Sequence, residues 1–145
     1  MSNNLTNNSR VKVKVKKGSK SVSSRRWLER QLNDPYVVAA KADGYRSRSA
    51  YKLLDLNDKF KFLKKGNTII DLGAAPGGWS QVATKVIGLP KIGKLVSVDI
   101  QDMVPIEGVS FIKGSIMDEE IIEIIKKELE CQADIVLSDM APSAS

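Results

Sequence analysis

The chain has 145 residues, of which 42% are hydrophobic, a length and composition that suit one domain with a buried core. There is no histidine, which removes Ser-His and Cys-His catalysis and most zinc sites, and the single cysteine, Cys131, cannot form an internal disulfide. We therefore expect no metal site and a partly buried, structural Cys131. The sequence contains no apolar run of roughly 18 residues, and residues 1–10 do not resemble a signal sequence, so we expect a cytoplasmic protein without membrane contact.

The net charge of +6 is concentrated in the first part of the chain. Residues 1–65 carry 17 Lys and Arg against 5 Asp and Glu, whereas residues 66–145 carry 6 against 12. Residues 1–22 are too charged to bury and predict a disordered arm, either a phosphate-neutralising one or a simple solvated tail. Basic and aromatic side chains then alternate up to residue 48, a pattern that favours RNA, although lysine stems packed over aromatic core edges would give a similar one. These residues are Arg25, Arg26, Trp27, Arg30, Tyr36, Lys41, Tyr45, Arg46 and Arg48.

Three helices are predicted before residue 66. Each begins at a residue that can accept hydrogen bonds from free helical N–H groups, and the second and third end at glycines. The helices are 23–32, capped by Ser23 or Ser24; 35–42, preceded by Asp34-Pro35 and ended by Gly44; and a third from Ser47 or Ser49 to Lys64-Lys65-Gly66.

Strands and helices alternate in the rest of the chain, which predicts an α/β fold with a parallel sheet. The predicted strands are 68–72, 94–99, 109–113 and 134–138, and the helices are 77–87 and 118–130. Asp71, Asp99 and Asp139 fall at or near strand ends, so three carboxylates would surround one crevice, where ligands of such sheets bind. Four strands make about half of a doubly wound sheet, and we expect the last one to have an open apolar edge and the chain to be marginally stable.

The stretch from Asp71 to Trp79, Asp-Leu-Gly-Ala-Ala-Pro-Gly-Gly-Trp, joins a buried strand to a glycine-rich turn and a helix. This is the anatomy of a nucleotide-type cofactor site, although such turns are also common as purely structural features. The glycine spacing is neither that of nicotinamide-binding turns nor that of a phosphate loop, so a cofactor without phosphate, such as S-adenosylmethionine, fits better. Asp99, which ends the second strand, is the candidate for the ribose hydroxyls, the alternative being an ordinary surface aspartate.

Four motifs in this order resemble the FtsJ (RlmE-type) ribosomal RNA 2'-O-methyltransferases. The motifs are Ser24-Arg25-Arg26-Trp27-Leu28, residues 45–53 from Tyr-Arg-Ser-Arg-Ser to Lys-Leu, residues 71–81, and Ser138-Asp139-Met140-Ala141-Pro142. The resemblance implies a Rossmann-like, S-adenosylmethionine-dependent methyltransferase fold, truncated at its C-terminal end and occupying residues 23–145. It implies methyl transfer to the 2'-hydroxyl of a uridine in 23S ribosomal RNA of the large subunit.

The resemblance also implies roles for particular residues. Of the family's catalytic Lys-Asp-Lys-Glu set, the first two members fall on Lys52 and Asp139, and the other two would lie on later strands. A lysine removes a proton only in its neutral form, so Lys52 is expected chiefly to orient the hydroxyl, unless it is simply a solvated helical lysine. Asp139 would hold the cofactor and orient lysine. Cofactor contacts carried over by position are Gly77, Trp79, Asp99, Ser115 and Asp139, with Ser115 standing where the family often has an acid beside the adenine.

Two other readings of the sequence stay open. One is an inactive remnant that binds cofactor or RNA without turnover. The other is a nicotinamide-dependent oxidoreductase, against which the glycine spacing and the basic first half count. The oligomeric state does not follow from the sequence.

Overall fold

The computed structural model describes Lys14 and residues 21–140. Apart from Lys14 and residues 21–22, the predicted basic arm lies outside the described residues, as do Ala141 and Pro142 of the last motif. The elements in chain order are α1 (Val22–Asn33), α2 (Pro35–Asp43), α3 (Ser49–Phe60), β1 (Thr68–Leu72), α4 (Gly78–Ile87), β2 (Lys94–Asp99), β3 (Val109–Lys113), α5 (Glu119–Leu129) and β4 (Ile135–Ser138). The predicted α/β class and the alternating order are confirmed.

The four strands form one parallel sheet in the order β3-β2-β1-β4. β1 is therefore flanked on both sides, and Ile70 lies opposite Val96 of β2 and Val136 of β4. Within the part of the chain that the structure describes, β4 pairs with β1 alone and forms one edge of the sheet. Val136 on this strand is 58% exposed, as expected for an apolar edge.

Each face of the sheet has its own hydrophobic core, because successive strand residues point to opposite faces. On one face, Ile69 and Leu95 pack with Leu53 of α3 and Val82 of α4. On the other face, Val96, Val98 and Ile112 pack with Ile125 and Leu129 of α5. Covering both faces in this way makes the parallel sheet stable and leaves the carboxyl ends of the strands free to form a site.

The first two helices begin with polar caps. Ser21 caps α1 by accepting from the Ser24 N–H at 3.2 Å, so the predicted caps Ser23 and Ser24 are wrong, and the helix starts inside the segment assigned to the arm. In α2, Asp34 accepts from the backbone of Tyr36, and Gly44 ends the helix at φ 80°, both as predicted.

The third helix is shorter than predicted, because α3 ends at Phe60 instead of continuing to residues 64–66. Lys61 adopts a left-handed conformation, at φ 52°, and its N–H bonds to the Asn57 carbonyl. The Asn57 side chain then accepts from the Leu63 N–H at 2.9 Å, which turns the chain so that Leu63 enters the core. The side-chain hydrogen bond of Asn57 therefore accompanies an earlier helix end than the one predicted from Lys64, Lys65 and Gly66.

Cys131 is exposed, with its Sγ 3.7 Å from the Thr68 hydroxyl, so the expectation of a partly buried thiol is wrong. None of the helices in the described ranges is both long and apolar enough to cross a membrane. Across residues 21–140 and Lys14, no cluster of three or more His, Cys, Asp or Glu side chains could hold a metal ion.

Candidate active site

The glycine-rich turn after β1 is held against β2 by its own backbone. The N–H groups of Gly73 and Ala74 both donate to the Val98 carbonyl, at 2.8 and 3.1 Å. Gly73 and Gly77 have φ values of 68° and 119°, which side-chain-bearing residues rarely adopt. A Cβ on Gly77 would also lie 3.1 Å from the Met103 sulfur. The glycines are therefore required by the path of this turn.

The two predicted catalytic residues meet across 87 positions of sequence. Lys52, on α3, donates from Nζ to Oδ1 of Asp139, just beyond β4, at 2.9 Å. The Lys52 side chain is 62% exposed and that of Asp139 32% exposed, so the pair lies at the surface, open to a large substrate. In this pair the lysine amine is the hydrogen-bond donor.

A small cavity of about 110 Å³, lined in part by Asp139, lies at the carboxyl ends of β1 and β4. Its lining residues are Ser47, Ser49, Asp71, Gly73, Ala74, Ala75, Pro76, Trp79 and Asp139. Trp79 is 7% exposed and belongs to the core, and its indole N–H donates to the Ser49 carbonyl at 2.8 Å. The indole therefore forms a wall of the cavity, while its one polar group already has a partner inside the protein.

Asp71 is almost fully buried in the floor of the cavity. Its Oδ2 accepts from the Ser80 hydroxyl at 2.7 Å, and Ser80 lies 2.6 Å from the Ser97 hydroxyl. Burial raises the pKa of Asp71 to about 6; the Ser80 hydrogen bond acts in the opposite direction, and the nearby charges of Asp139 and Asp99 raise it further. A carboxyl group with such a pKa changes its charge under mild conditions.

Asp99, the predicted ribose ligand, holds the glycine turn. Its Oδ2 accepts from the Ala75 N–H and its Oδ1 from the Gln101 N–H, both at 2.9 Å. Each carboxylate oxygen has two lone pairs, so Asp99 retains acceptor capacity for hydroxyl groups. Asp99 does not line the small cavity, so the three carboxylates do not all surround one crevice: Asp71 and Asp139 line it, and Asp99 lies beside it.

Ser115 follows β3. The residue before it, Gly114, donates its N–H to the Asp99 carbonyl at 2.8 Å, which brings this segment close to Asp99. The Ser115 hydroxyl accepts from the Met117 N–H at 3.1 Å, which shapes the turn into α5. The structure thus divides the predicted cofactor residues into two groups. Gly77, Trp79 and Asp139 lie at or beside the cavity, and Asp99 and Ser115 lie further along the same edge of the sheet.

The basic and aromatic residues of the first half fall into two groups. α1 contributes no buried residue, and Trp27 on it is 54% exposed. Arg48 lies over the ring of Tyr36, 5.3 Å from its centroid, and pairs with Asp34. This outward group keeps the composition of an RNA-binding surface.

Arg46, which the sequence pattern groups with those surface residues, instead forms hydrogen bonds with the protein's own backbone. Its Nη1 donates to the carbonyls of Pro76, at 3.1 Å, and Val104, and its Nη2 to that of Pro105 at 3.0 Å. Charge counting cannot distinguish such a residue from its solvated neighbours. The one sequence feature related to this position of Arg46 is Gly77. A Cβ at Gly77 would lie 3.1 Å from Nη1 of Arg46, so the glycine leaves room for the guanidinium.

Comparison with known proteins agrees with this geometry. A profile described as FtsJ-like methyltransferase matches residues 45–145, which include the glycine turn, Lys52 and Asp139. The chain belongs to the FtsJ-like methyltransferase family. The family assigned from the sequence motifs and the Rossmann-like architecture are thereby confirmed.

Curated relatives extend the similarity. "Ribosomal RNA large subunit methyltransferase E" of Rhodopseudomonas palustris strain BisB5 is 49% identical over 100% of this chain and 62% of that protein. The same-named protein of strain TIE-1 is 51% identical over 94% of this chain and 58% of its own length. A crystal structure of a putative ribosomal RNA methyltransferase from Plasmodium falciparum superposes with a TM-score of 0.62 and 37% identity, covering 69% of this chain and 58% of that one. The chain spans about 60% of the length of these relatives.

Proposed function

We propose that this chain carries out S-adenosylmethionine-dependent methylation of a uridine 2'-hydroxyl in 23S ribosomal RNA of the large ribosomal subunit. The observation that carries the proposal is the Lys52–Asp139 pair, 2.9 Å apart, whose aspartate lines the cavity beside the glycine turn. The family supports methyl transfer, and the names of the curated relatives support ribosomal RNA as the substrate. A ribosomal substrate in turn supports a cytoplasmic location.

The residues around the turn suit this cofactor by their chemistry. The cavity of about 110 Å³ is smaller than the roughly 300 Å³ or more of a complete small-molecule pocket, so it would accept one end of the molecule. Asp71 and Asp139 give that end two carboxylates, which match the cationic amino and sulfonium groups. Asp99 would accept from the ribose hydroxyls, and Ser115, further along the edge, would bond the adenine. Gly77 and Trp79 would shape the wall.

When bound, S-adenosylmethionine supplies an electrophilic methyl group. The chain's own contribution is alignment, because a ribose hydroxyl is a weak nucleophile that gains most from being held in place. Lys52, exposed on α3, would donate to the ribose oxygen or an adjoining phosphate, and Asp139 would fix the direction of the lysine amine. The outward basic and aromatic residues, including Arg26 and Trp27, would bind the RNA backbone and unstacked bases.

A second candidate is a chain that binds cofactor or RNA without turnover. It is favoured by the Lys52 amine being a donor to Asp139, which leaves the removal of the hydroxyl proton unassigned among the described residues. The two candidates share every binding feature. They differ in whether a methyl group reaches the RNA.

The test is transfer of radiolabelled methyl from S-adenosylmethionine to large subunits that lack the modification, with the product nucleoside identified after nuclease digestion. We expect label as 2'-O-methyluridine, and we expect Lys52→Ala to lower the rate about 100-fold while changing cofactor affinity less than about threefold. Lys126→Ala, which removes another exposed, ion-paired lysine on α5, is the matched control.

The same assay separates the two candidates. Cofactor binding by the chain without label on the RNA, alongside activity of a version extended with the C-terminal part of a relative, would establish the binding-only reading. Equal loss of binding and transfer in Lys52→Ala would instead assign Lys52 to folding.

A further inference from the structure

The guanidinium of Arg46 joins the two loops that flank the candidate cofactor site. One is the glycine turn at residues 73–77, and the other is the loop at 100–108 between β2 and β3. Arg46 donates to Pro76 in the first loop and to Val104 and Pro105 in the second. Its side chain therefore bridges segments that follow different strands of the sheet.

Arg46 is itself fixed from behind. Its backbone N–H donates to Oε1 of Gln81 on α4 at 2.8 Å, and Nε2 of the same glutamine donates to the Gly44 carbonyl at 3.1 Å. In front, the guanidinium fills the space beside Gly77, where an ideal Cβ would lie 3.1 Å from Nη1 and 3.2 Å from Cδ. The side chain is held from both directions in one position.

The hydrogen bonds, and not the charge, account for this position. The guanidinium lies beside the N-terminal end of α4, where the helix dipole disfavours a cation. Arginine nevertheless has five N–H donors in a rigid plane, which can satisfy several carbonyls at once. A lysine would keep the charge and reach the same region, but its single ammonium cannot reproduce this bridge.

A second contact ties the glycine turn to the end of β2, where the second loop leaves the sheet. Asp99, the last residue of β2, accepts from the Ala75 N–H at 2.9 Å. The Asp99 contact and the Arg46 bridge therefore hold two adjacent residues of the glycine turn, Ala75 and Pro76, both of which line the cavity. Loss of either tie would let the 100–108 loop move relative to the glycine turn.

We propose that Arg46 is a positioning residue that sets the spacing of these two loops and so the affinity for the cofactor, and that it does not bind RNA phosphates. The inference rests on the proposed function, because it assigns the ligand between the loops to S-adenosylmethionine. Arg46 would therefore differ in role from the neighbouring arginines in the sequence, which lie on the proposed RNA-binding surface.

The test compares Arg46→Lys, which keeps the charge and loses the planar fork, with Arg46→Ala and with Lys126→Ala on α5, outside both the cofactor site and the RNA-binding surface, as the control. Three quantities are measured on the full chain: binding of S-adenosylhomocysteine by calorimetry, RNA affinity as a function of salt, and amide hydrogen exchange along the chain. We expect Arg46→Lys to weaken S-adenosylhomocysteine binding about tenfold, to speed exchange at 73–77 and 100–108, and to leave RNA affinity and its salt slope unchanged. Added guanidinium should partly restore binding to Arg46→Ala.

Two results would overturn the proposal. If Arg46→Lys binds S-adenosylhomocysteine like the wild type while Arg46→Ala loses RNA affinity and about one unit of salt slope, Arg46 is a phosphate contact. If exchange rises throughout the chain and the melting temperature falls, its role is general stability. If the wild type itself does not bind S-adenosylhomocysteine, the proposed function fails, and exchange at the two loops alone decides whether Arg46 holds them.

Discussion

Ionisation of Asp71 should make the chain less stable as the pH rises through the weakly acidic range. Asp71 is 1% exposed, and burial raises its pKa from an ordinary value of 3.8 to about 6. Because the folded protein holds this proton more tightly than the unfolded chain does, folding is favoured below about pH 4. The advantage is lost as the pH rises from about 4 to about 6 and is absent above that range.

The magnitude follows from the two pKa values. A shift of this size corresponds to about 3 kcal/mol over the whole titration, at about 1.4 kcal/mol per pKa unit. Roughly 1 kcal/mol of this falls between pH 5 and pH 7, which corresponds to about 4 °C in melting temperature for a domain of this size. The chain has no histidine, so this pH window contains little other titration to obscure the effect.

The assay is urea unfolding of the wild type and Asp71→Asn at pH 5, 6 and 7. Asparagine keeps the shape and can still accept from Ser80, but it carries no charge. At each pH we subtract the free energy of unfolding of the wild type from that of the variant. We expect this difference to increase by roughly 1 kcal/mol between pH 5 and pH 7, whatever its value at pH 5. Asp58→Asn, at a side chain that is 87% exposed, controls for loss of a surface carboxylate. Parallel curves for wild type and Asp71→Asn would refute the reasoning.

Two further predictions concern the packing around the site and the sheet edge. Trp79→Phe removes the N–H that satisfies the Ser49 carbonyl at 2.8 Å, so the free energy of unfolding should fall by about 2 kcal/mol in denaturant titration. A loss under about 0.5 kcal/mol would mean that the carbonyl finds another partner. We expect the exposed apolar edge of β4 to make the chain associate at high concentration. Val136→Lys places a charge on this edge and should reduce that association in sedimentation experiments, with a stability change within about 0.5 kcal/mol. Identical sedimentation of wild type and variant would exclude this edge as the contact.

The sheet was predictable because its signal is repeated at every strand. Apolar runs such as Thr68–Leu72 alternate with helical patterns, and the structure places all four strands within one residue of their predicted bounds. Helix ends were less predictable, since they depend on single contacts. The α3 terminus is decided by Asn57 turning back to Leu63, a bond that competes with a sequence signal of lysines and glycine only a few residues later.

The site was predictable where a residue's role follows from its position in a motif, as for Lys52 and Asp139. It was less predictable where one residue type serves two purposes. Asp99 and Arg46 are charged and follow motif positions, yet the side chain of each forms hydrogen bonds with the backbone of the glycine turn or a neighbouring loop. Whether such a side chain faces solvent or the backbone depends on the path of the loops. Hydrophobic periodicity predicts helices and strands, but it does not predict that path.

The location of the cavity follows from the order of the strands. The chain runs outward from β1 through β2 to β3 and then returns to the opposite side of β1 as β4. The strand order therefore reverses between β1 and β4, and ligands of open parallel sheets bind beyond the carboxyl ends of the strands at such a reversal. Asp71 and Asp139 reach the cavity from these two strands, and α3, packed against α4, brings Lys52 within hydrogen-bond distance of Asp139. The strand order therefore brings together residues separated by most of the described chain.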